Sequence, residues 1–157
     1  MAIIGIIAEY NPFHTGHEYH IARSRELLGA DSTVICVMSG DFVQRGEAAL
    51  YSKFARAEAA CRCGADLVIE LPLPWALSSA EGFARGAVGL LGALGATHLS
   101  FGSECGDVQR LERIAENLID PAVNAEISRE LNENANNSYA SARQTVLARR
   151  LGDEAKL

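Results

Sequence analysis

The sequence predicts an α/β protein, a Rossmann-like parallel sheet followed by a helical C-terminal segment, and three observations carry that expectation. Short apolar runs at 3–8, 33–38, 66–71 and 98–102, most of them rich in β-branched residues, alternate with longer stretches of helical periodicity. The runs end at glycine or proline, the residues that close a strand and open a turn. The helix after the first run begins His14-Thr15-Gly16-His17, so two imidazoles flanking a glycine stand where a helix end offers unpaired N–H groups and positive dipole charge.

Composition narrows the class. At 157 residues with 48% hydrophobic residues, the chain can bury a sizeable core and is expected to form one domain. No basic leader precedes the first apolar run, and no stretch is long and apolar enough to span a bilayer, so a soluble cytoplasmic protein is expected. The net charge of -6 argues against general nucleic-acid binding, which needs a basic face. Only Lys53 and Lys156 among the 14 basic residues are lysine; arginine suits directed phosphate or carboxylate contacts, although the codon bias of a GC-rich genome gives the same ratio. Cys36, Cys61, Cys63 and Cys105 form no C-x-x-C pair, so free thiols are expected rather than a metal site.

The first strand stops at Asn11-Pro12, and a helix is expected over 15–28, with Gly29 as its stop. His14 and His17 lie three apart on its first turn, and Gly16 removes a side chain where a base or sugar could approach. Two such donors suit a triphosphate, where they can stabilise the charge that builds on an α-phosphate as a nucleophile enters and pyrophosphate leaves. A turn histidine followed by a half-buried helix histidine is the competing reading. The run over 33–38 reads as a strand buried on both faces and ending at Ser39-Gly40. Ligands of open α/β sheets sit beyond the carboxyl ends of strands, which places Ser39, Gly40, Asp41, Gln44 and Arg45 beside the same crevice; a solvated loop is the alternative.

Ser52 is expected to cap a helix to about 63, with Phe54, Ala57, Ala60 and Cys61 on its inner side. Lys53 opposes the dipole at that helix start, which suggests a ligand or merely an accident of the surface. After a third strand ending near Glu70, Pro72-Leu73-Pro74-Trp75 should carry the chain across the top of the sheet. Glu70 either orders the site or caps a neighbouring helix. Ser78 and Glu81 form a capping box for a helix over 80–94, whose Gly82, Gly86, Gly89 and Gly92 imply close packing on the sheet. Trp75 reads as a core lid, with base stacking as the alternative. The fourth strand, 98–102, starts at a structural His98 and ends at Gly102.

Asp107 should cap a helix bearing Val108, Leu111, Ile114, Ala115, Leu118 and Ile119, broken by Pro121. A second helix places Val123, Ile127 and Leu131 on one stripe, a polar turn covers 132–138, and Ser138 starts a last helix with Tyr139, Ala142, Val146, Leu147 and Leu151 inward. Arg143, Arg149 and Arg150 form the densest basic cluster, either an RNA contact or an ordinary exposed face.

The run Asn11-Pro12-Phe13-His14-Thr15-Gly16-His17 resembles the phosphate-binding signature of the nucleotidylyltransferase superfamily of His-x-Gly-His type. With Met38 to Glu47, Ser52 to Arg56, Asp66 to Pro72 and Phe101 to Glu104, residues 1–105 are similar, block by block, to the bacterial tRNA(Met) cytidine acetate ligase family. The resemblance implies activation of acetate with ATP to acetyl-adenylate, then acetylation of the wobble cytidine of elongator tRNA(Met), with Mg²⁺ accompanying the nucleotide. It implies His14 and His17 as catalytic, and Ile7, Ala8, Glu9, Tyr10, Asn11, Pro12, Phe13, His14, Gly16, His17, His20 and Gly102 as ATP contacts. Ser39, Gly40, Gln44, Arg45 and Lys53 are then expected to form a substrate loop, with no protein-held metal. Residues 1–105 become a nucleotide-binding core and 106–157 a helical segment of the same domain, with tRNA(Met) bound partly by regions outside this chain.

The resembled superfamily also uses a fifth strand and a second phosphate loop, and neither is read after Gly102. Members of the resembled family are considerably longer. The chain therefore reads as the N-terminal part of a larger enzyme, a truncated piece or an unusually short relative, which leaves its turnover open. A small-molecule adenylyltransferase, or an ATP-binding fragment without turnover, are the alternatives.

Overall fold

The structure is a computed structural model that describes residues 1–134 and 137–155. The chain divides into two compact units, Met1–Gly102 and Ser103–Leu157. In the first, β1 (Ile3–Ala8), β2 (Thr33–Ser39), β3 (Leu67–Leu71) and β4 (His98–Ser100) form a parallel sheet of order β3-β2-β1-β4. The chain builds outward from β1 through β2 to β3, then returns to the other side of β1. That reversal makes the gap between β1 and β4 the topological switch point, where ligands of open α/β sheets bind.

Alternation along the strands explains the layers. Ile4, Ile6, Val34, Cys36 and Met38 bury one face of the sheet with Ile21 of α1 (Thr15–Leu28) and Ala60 of α2 (Lys53–Arg62). Their neighbours Ile35 and Val37 turn to the opposite face, where they pack with Leu71 and with Phe83, Ala87 and Leu91 of α4 (Ala80–Ala93). Burial on both faces is why the central strands read as continuous apolar runs. Gly5 of β1 is required by this packing: a Cβ there would stand 2.7 Å from the Leu91 Cδ1.

Strand and helix order follows the expectation from sequence, and several details differ. In α2 the buried residues are Arg56 and Ala60, while Phe54 is 76% exposed and Cys61 is exposed. Ala57 and Ala60 face inward as expected, but Phe54 and Cys61 do not, because the helix turns its arginine inward, onto carbonyls at the ends of two strands. The segment after β3 forms a short helix, α3 (Leu73–Ala76), entered through Pro72 and so compatible with proline at its second position. Ser79, not Ser78, caps α4 by accepting from the Gly82 N–H, because the Ser78 hydroxyl donates to the Trp75 carbonyl.

The glycines of α4 are not its sheet-facing stripe. That stripe is Phe83, Ala87 and Leu91; Gly86 instead lies under the Trp75 ring, and an added side chain at Gly89 or Gly92 would meet open space. Trp75 is accordingly a half-exposed cover on α4 rather than a lid on the core, at 42% exposure.

The second unit is helical over its described residues. Asp107 caps α5 (Val108–Ile119), Asp120 ends α5 and caps α6 (Pro121–Glu133) with Pro121 in the tolerated first position, and Ser138 caps α7 (Tyr139–Leu151), which runs into a 3₁₀ turn, Gly152–Ala155. Val123 and Ile127 pack with Ala142 and Val146, and Ile114 with Leu147 and Ala155. Tyr139 is exposed, against the inward position expected of it, and of the periodic residues of α5, Val108, Ala115 and Ile119 are exposed. The polar turn expected over 132–138 begins inside α6, and its residues 135 and 136 lie outside the described residues. Arg150 pairs with Asp120 at 3.1 Å and Glu126 at 2.7 Å, and Arg149 with Glu130 at 2.7 Å. Much of the basic cluster on α7 is therefore compensated within its own unit.

Candidate functional site

The site is built where β1 hands over to α1. Tyr10 takes left-handed backbone (φ 50), and a cis Asn11-Pro12 bond follows. Tyr10 is 2% exposed and its hydroxyl lies 3.2 Å from the Cys36 Sγ. Burial pushes the phenol above its usual range and the Cys36 thiol up to about 11, so this pair stays neutral. The Tyr10 ring meets Phe13 and His17 edge-on at 4.9 and 4.8 Å between centroids, and Phe13 lies 5.5 Å from His17. Two aromatic rings thus support the second histidine from beneath.

His14 is the N-cap of α1 and His17 the third residue of the helix. The His14 Nδ1 accepts the Gly16 N–H at 3.1 Å, and the His17 Nδ1 accepts the His14 N–H at 3.2 Å, a capping box made of two imidazoles. Because both Nδ1 atoms accept, the neutral rings carry their protons on Nε2. The rings stack with centroids 3.7 Å apart and planes 29° apart. The helix end thereby presents two Nε2–H donors side by side. His17 titrates below the ordinary histidine range, first through burial and then through the neighbouring His14 and His20.

Gly16 is exposed, but a Cβ there would stand 2.9 Å from the His14 Cε1. The space left by the missing side chain is occupied by the imidazole cap, which is a reason for glycine that spacing alone did not reveal. One turn further along α1, the His20 Nε2 lies 2.8 Å from the hydroxyl of Ser100 at the end of β4. Burial lowers the His20 pKa as well. Gly102 follows two residues later, is exposed, and has nothing within 4 Å of a built Cβ. His14, His17 and His20 therefore run along α1 toward the switch point between β1 and β4. Ile7 and Ala8 end β1 half-buried, and Pro12 is exposed.

The loop between β2 and α2 forms the adjoining wall. The Glu9 Oε1 accepts the Gln44 N–H at 2.6 Å, and the Asn11 Oδ1 accepts the Leu50 N–H at 2.7 Å, so the turn after β1 holds this loop at two points. Arg56 ties it from below. Its guanidinium, 2% exposed, donates to the carbonyls of Tyr51 at 3.0 Å, Glu9 at 2.5 Å and Ser39 at 3.2 Å, and also to that of Gly40. Lys53 bonds Glu70 at 2.7 Å and lies 3.8 Å from Asp41; the hydrogen bond to Glu70 foremost raises its pKa. Glu70 reaches Lys53 across Gly40, where a Cβ would lie 3.0 Å from the Glu70 Cδ. The cation that looked misplaced at a helix start is thus compensated by two carboxylates.

Among the residues expected in this loop, Gly40 is buried and Ser39 is fully enclosed, its hydroxyl without a hydrogen-bond partner among the described residues. Gln44 contributes its backbone, and Arg45 is exposed. Arg56, Ser24 and Ser100 were not singled out from sequence. The available sign for Arg56 was its place four residues before Ala60, on the inner face of a small-residue helix.

A family model, HIGH Nucleotidyl Transferase, matches residues 1–156. A tRNA(Met) cytidine acetate ligase of Acetivibrio thermocellus is 48% identical over 150 residues, covering 94% of this chain and 35% of that protein. One of Syntrophotalea carbinolica is 56% identical over 118 residues, covering 75% of this chain and 28% of that protein. A crystal structure of Thermotoga maritima TmcAL bound with alpha-thio ATP has a TM-score of 0.87 and 43% identity, covering 98% of this chain and 37% of that chain. The chain spans about a third of the length of the curated relatives it matches.

Proposed function

The chain belongs to the HIGH Nucleotidyl Transferase family, and from that premise we propose that it binds ATP and forms acetyl-adenylate for acetylation of the wobble cytidine of elongator tRNA(Met), as a cytoplasmic ATP-dependent ligase. Three supports converge: relatives named tRNA(Met) cytidine acetate ligase, a similar structure that holds an ATP analogue, and the paired imidazoles. The observation that carries the reading is the capping box, which commits both Nδ1 atoms to the backbone and leaves two Nε2–H donors at a helix N-terminus.

In the proposed reaction the ATP phosphates lie against His14 and His17 at the start of α1, and the nucleoside extends along His20 toward Gly102. An acetate oxygen attacks the α-phosphate in line; the new O–P bond forms as the bond to the bridging oxygen breaks, and pyrophosphate leaves with the electron pair. The two donors stabilise the charge that grows on the α-phosphate oxygens. No general base is required, because acetate is ionised near neutral pH. The cytidine amine then attacks the acetyl carbon, loses a proton, and AMP leaves. Bound to the triphosphate, Mg²⁺ would supply charge neutralisation for the leaving pyrophosphate; among the described residues no group of three or more His, Cys, Asp and Glu side chains could hold such an ion by itself. Gln44, Arg45 and Lys53 are proposed as the wall beside the acetate, with the enclosed Ser39 and Gly40 behind them. Among the described residues no helix is long and apolar enough to cross a membrane.

The test is ATP–pyrophosphate exchange with and without acetate. Acetate-dependent exchange is expected, and His17→Ala should lower it by about 10²- to 10³-fold, the size of a lost transition-state donor. Unchanged exchange in that variant would remove His17 from the reaction. ATP binding without any exchange would reassign the chain to nucleotide binding alone.

A further inference from the structure

A closed ring of hydrogen bonds joins α1 to the end of β4. The Ser24 hydroxyl donates to the His20 carbonyl at 2.8 Å, and lies 2.7 Å from the Ser100 hydroxyl, which lies 2.8 Å from the His20 Nε2. The directions follow from proton counting. A carbonyl only accepts, so the single Ser24 proton is committed to it. Ser24 can then only accept from Ser100, which commits the Ser100 proton, so Ser100 must accept from the His20 Nε2–H. The neutral ring is left with Nδ1 as a bare acceptor.

We infer that Ser100 and Ser24 are positioning residues that lock His20 as a hydrogen-bond acceptor, so that it receives a donor on the nucleoside while His14 and His17 donate to the phosphates. The inference rests on the nucleotide-binding reading of this site and adds a division of labour along one helix. His14 and His17 accept through Nδ1 and present Nε2–H; His20 consumes its Nε2–H inside the fold and presents the opposite polarity. A phosphate oxygen only accepts and cannot pair with such a nitrogen. A ribose hydroxyl or an exocyclic amine can. The location agrees, since Ser100 lies at the switch point and Gly102, two residues on, leaves open space. Ser24 is 4% exposed and His20 and Ser100 are half-buried, so the ring of bonds is partly shielded from water. Burial also lowers the His20 pKa, which favours the neutral ring that an acceptor needs.

The experiment uses the full chain with ¹⁵N-labelled histidine and two probes, ATP and inorganic tripolyphosphate. Wild type should show the Nε2–H form of His20. In Ser100→Ala that signature should collapse to a tautomer mixture, and ATP affinity should fall about tenfold while tripolyphosphate affinity holds within about twofold. Ser100→Thr, which keeps the hydroxyl, should restore both the signature and the ATP affinity. Repeating the series with 2′-deoxy-ATP, 3′-deoxy-ATP and inosine triphosphate identifies the donor: the Ser100→Ala penalty vanishes for whichever analogue lacks it, and a penalty kept with all three overturns the inference. An Nδ1–H form in wild type, or equal weakening of both probes in Ser100→Ala, overturns the inference. Wild type that shows the Nε2–H form yet binds neither probe overturns the nucleotide reading, and the assignment of a ligand to His20 falls with it.

Discussion

The α1 wall of the crevice and the β2–α2 wall meet at the carboxyl end of β1 but are held by different kinds of contact. On the α1 side, the two bonds that orient His14 and His17 span two and three residues. On the other side, Arg56 reaches back 47 residues to Glu9 and 16 to 17 residues to the ends of β2, and Glu9 reaches 35 residues forward to Gln44. The first wall is a helix cap and forms wherever the helix forms. The second exists only once β1, β2 and α2 have docked. Local geometry therefore sets the polarity of the donors, and long-range geometry sets the shape of the space they face.

The largest effect that separates the walls is expected from Arg56→Ala. It strips four buried or half-buried carbonyls of their donor, and urea denaturation should show a loss of about 3–5 kcal/mol. A loss below about 1 kcal/mol would mean that the loop is held by Glu9 and Asn11 alone, and the contrast between the walls would weaken.

The next effect is a pH dependence belonging to the α1 wall. The folded-state pKa of His17 lies below its unfolded value, so the unfolded chain binds more protons as the pH falls below about 6.5. Stability from this group is complete above that value and declines as the pH drops toward the folded pKa. The neutral His17 already donates through Nε2–H while its Nδ1 accepts the His14 N–H, so tripolyphosphate should bind without protonating it. A ¹⁵N-histidine titration with and without tripolyphosphate between pH 6 and 7 measures this; protonation of the His17 Nδ1 on binding would show that the ligand takes the imidazolium at the cost of the cap.

The smallest effect is expected from Lys53→Met. Its partners Glu70 and Asp41 are about half exposed, and pairs of this kind contribute little to stability. The denaturation midpoint should match wild type within replicate scatter. A clear drop would promote Lys53 from compensated surface charge to a structural tie of the second wall.

The difference between the walls also explains which parts of the molecule were legible before folding. Alternating strands and helices, the α1 limits at Thr15 and Leu28, and caps at Ser52, Asp107 and Ser138 all follow from short-range pattern and cap chemistry. The α4 cap did not, because adjacent Ser78 and Ser79 are equivalent until Trp75 offers a carbonyl to one of them. Phe54 was expected inward and Arg56 went unnoticed for a related reason. Helical periodicity identifies a face but cannot tell that carbonyls at the ends of β1 and β2 will prefer a guanidinium to a phenyl ring.

By itself, the sequence determined the parallel α/β order and the strand-to-helix junction that carries His14-Thr15-Gly16-His17, both properties encoded within a few residues. Only the tertiary structure decided that Gly16 makes room for an imidazole, that Lys53 is compensated, that Arg56 closes the second wall, and that Ser100 lies within reach of His20. The physical reason is distance along the chain. A cap is a contact between near neighbours and is written in their identities, whereas a bond between α1 and β4 spans 80 residues and exists because the strand order returns to β1 and places the two elements side by side.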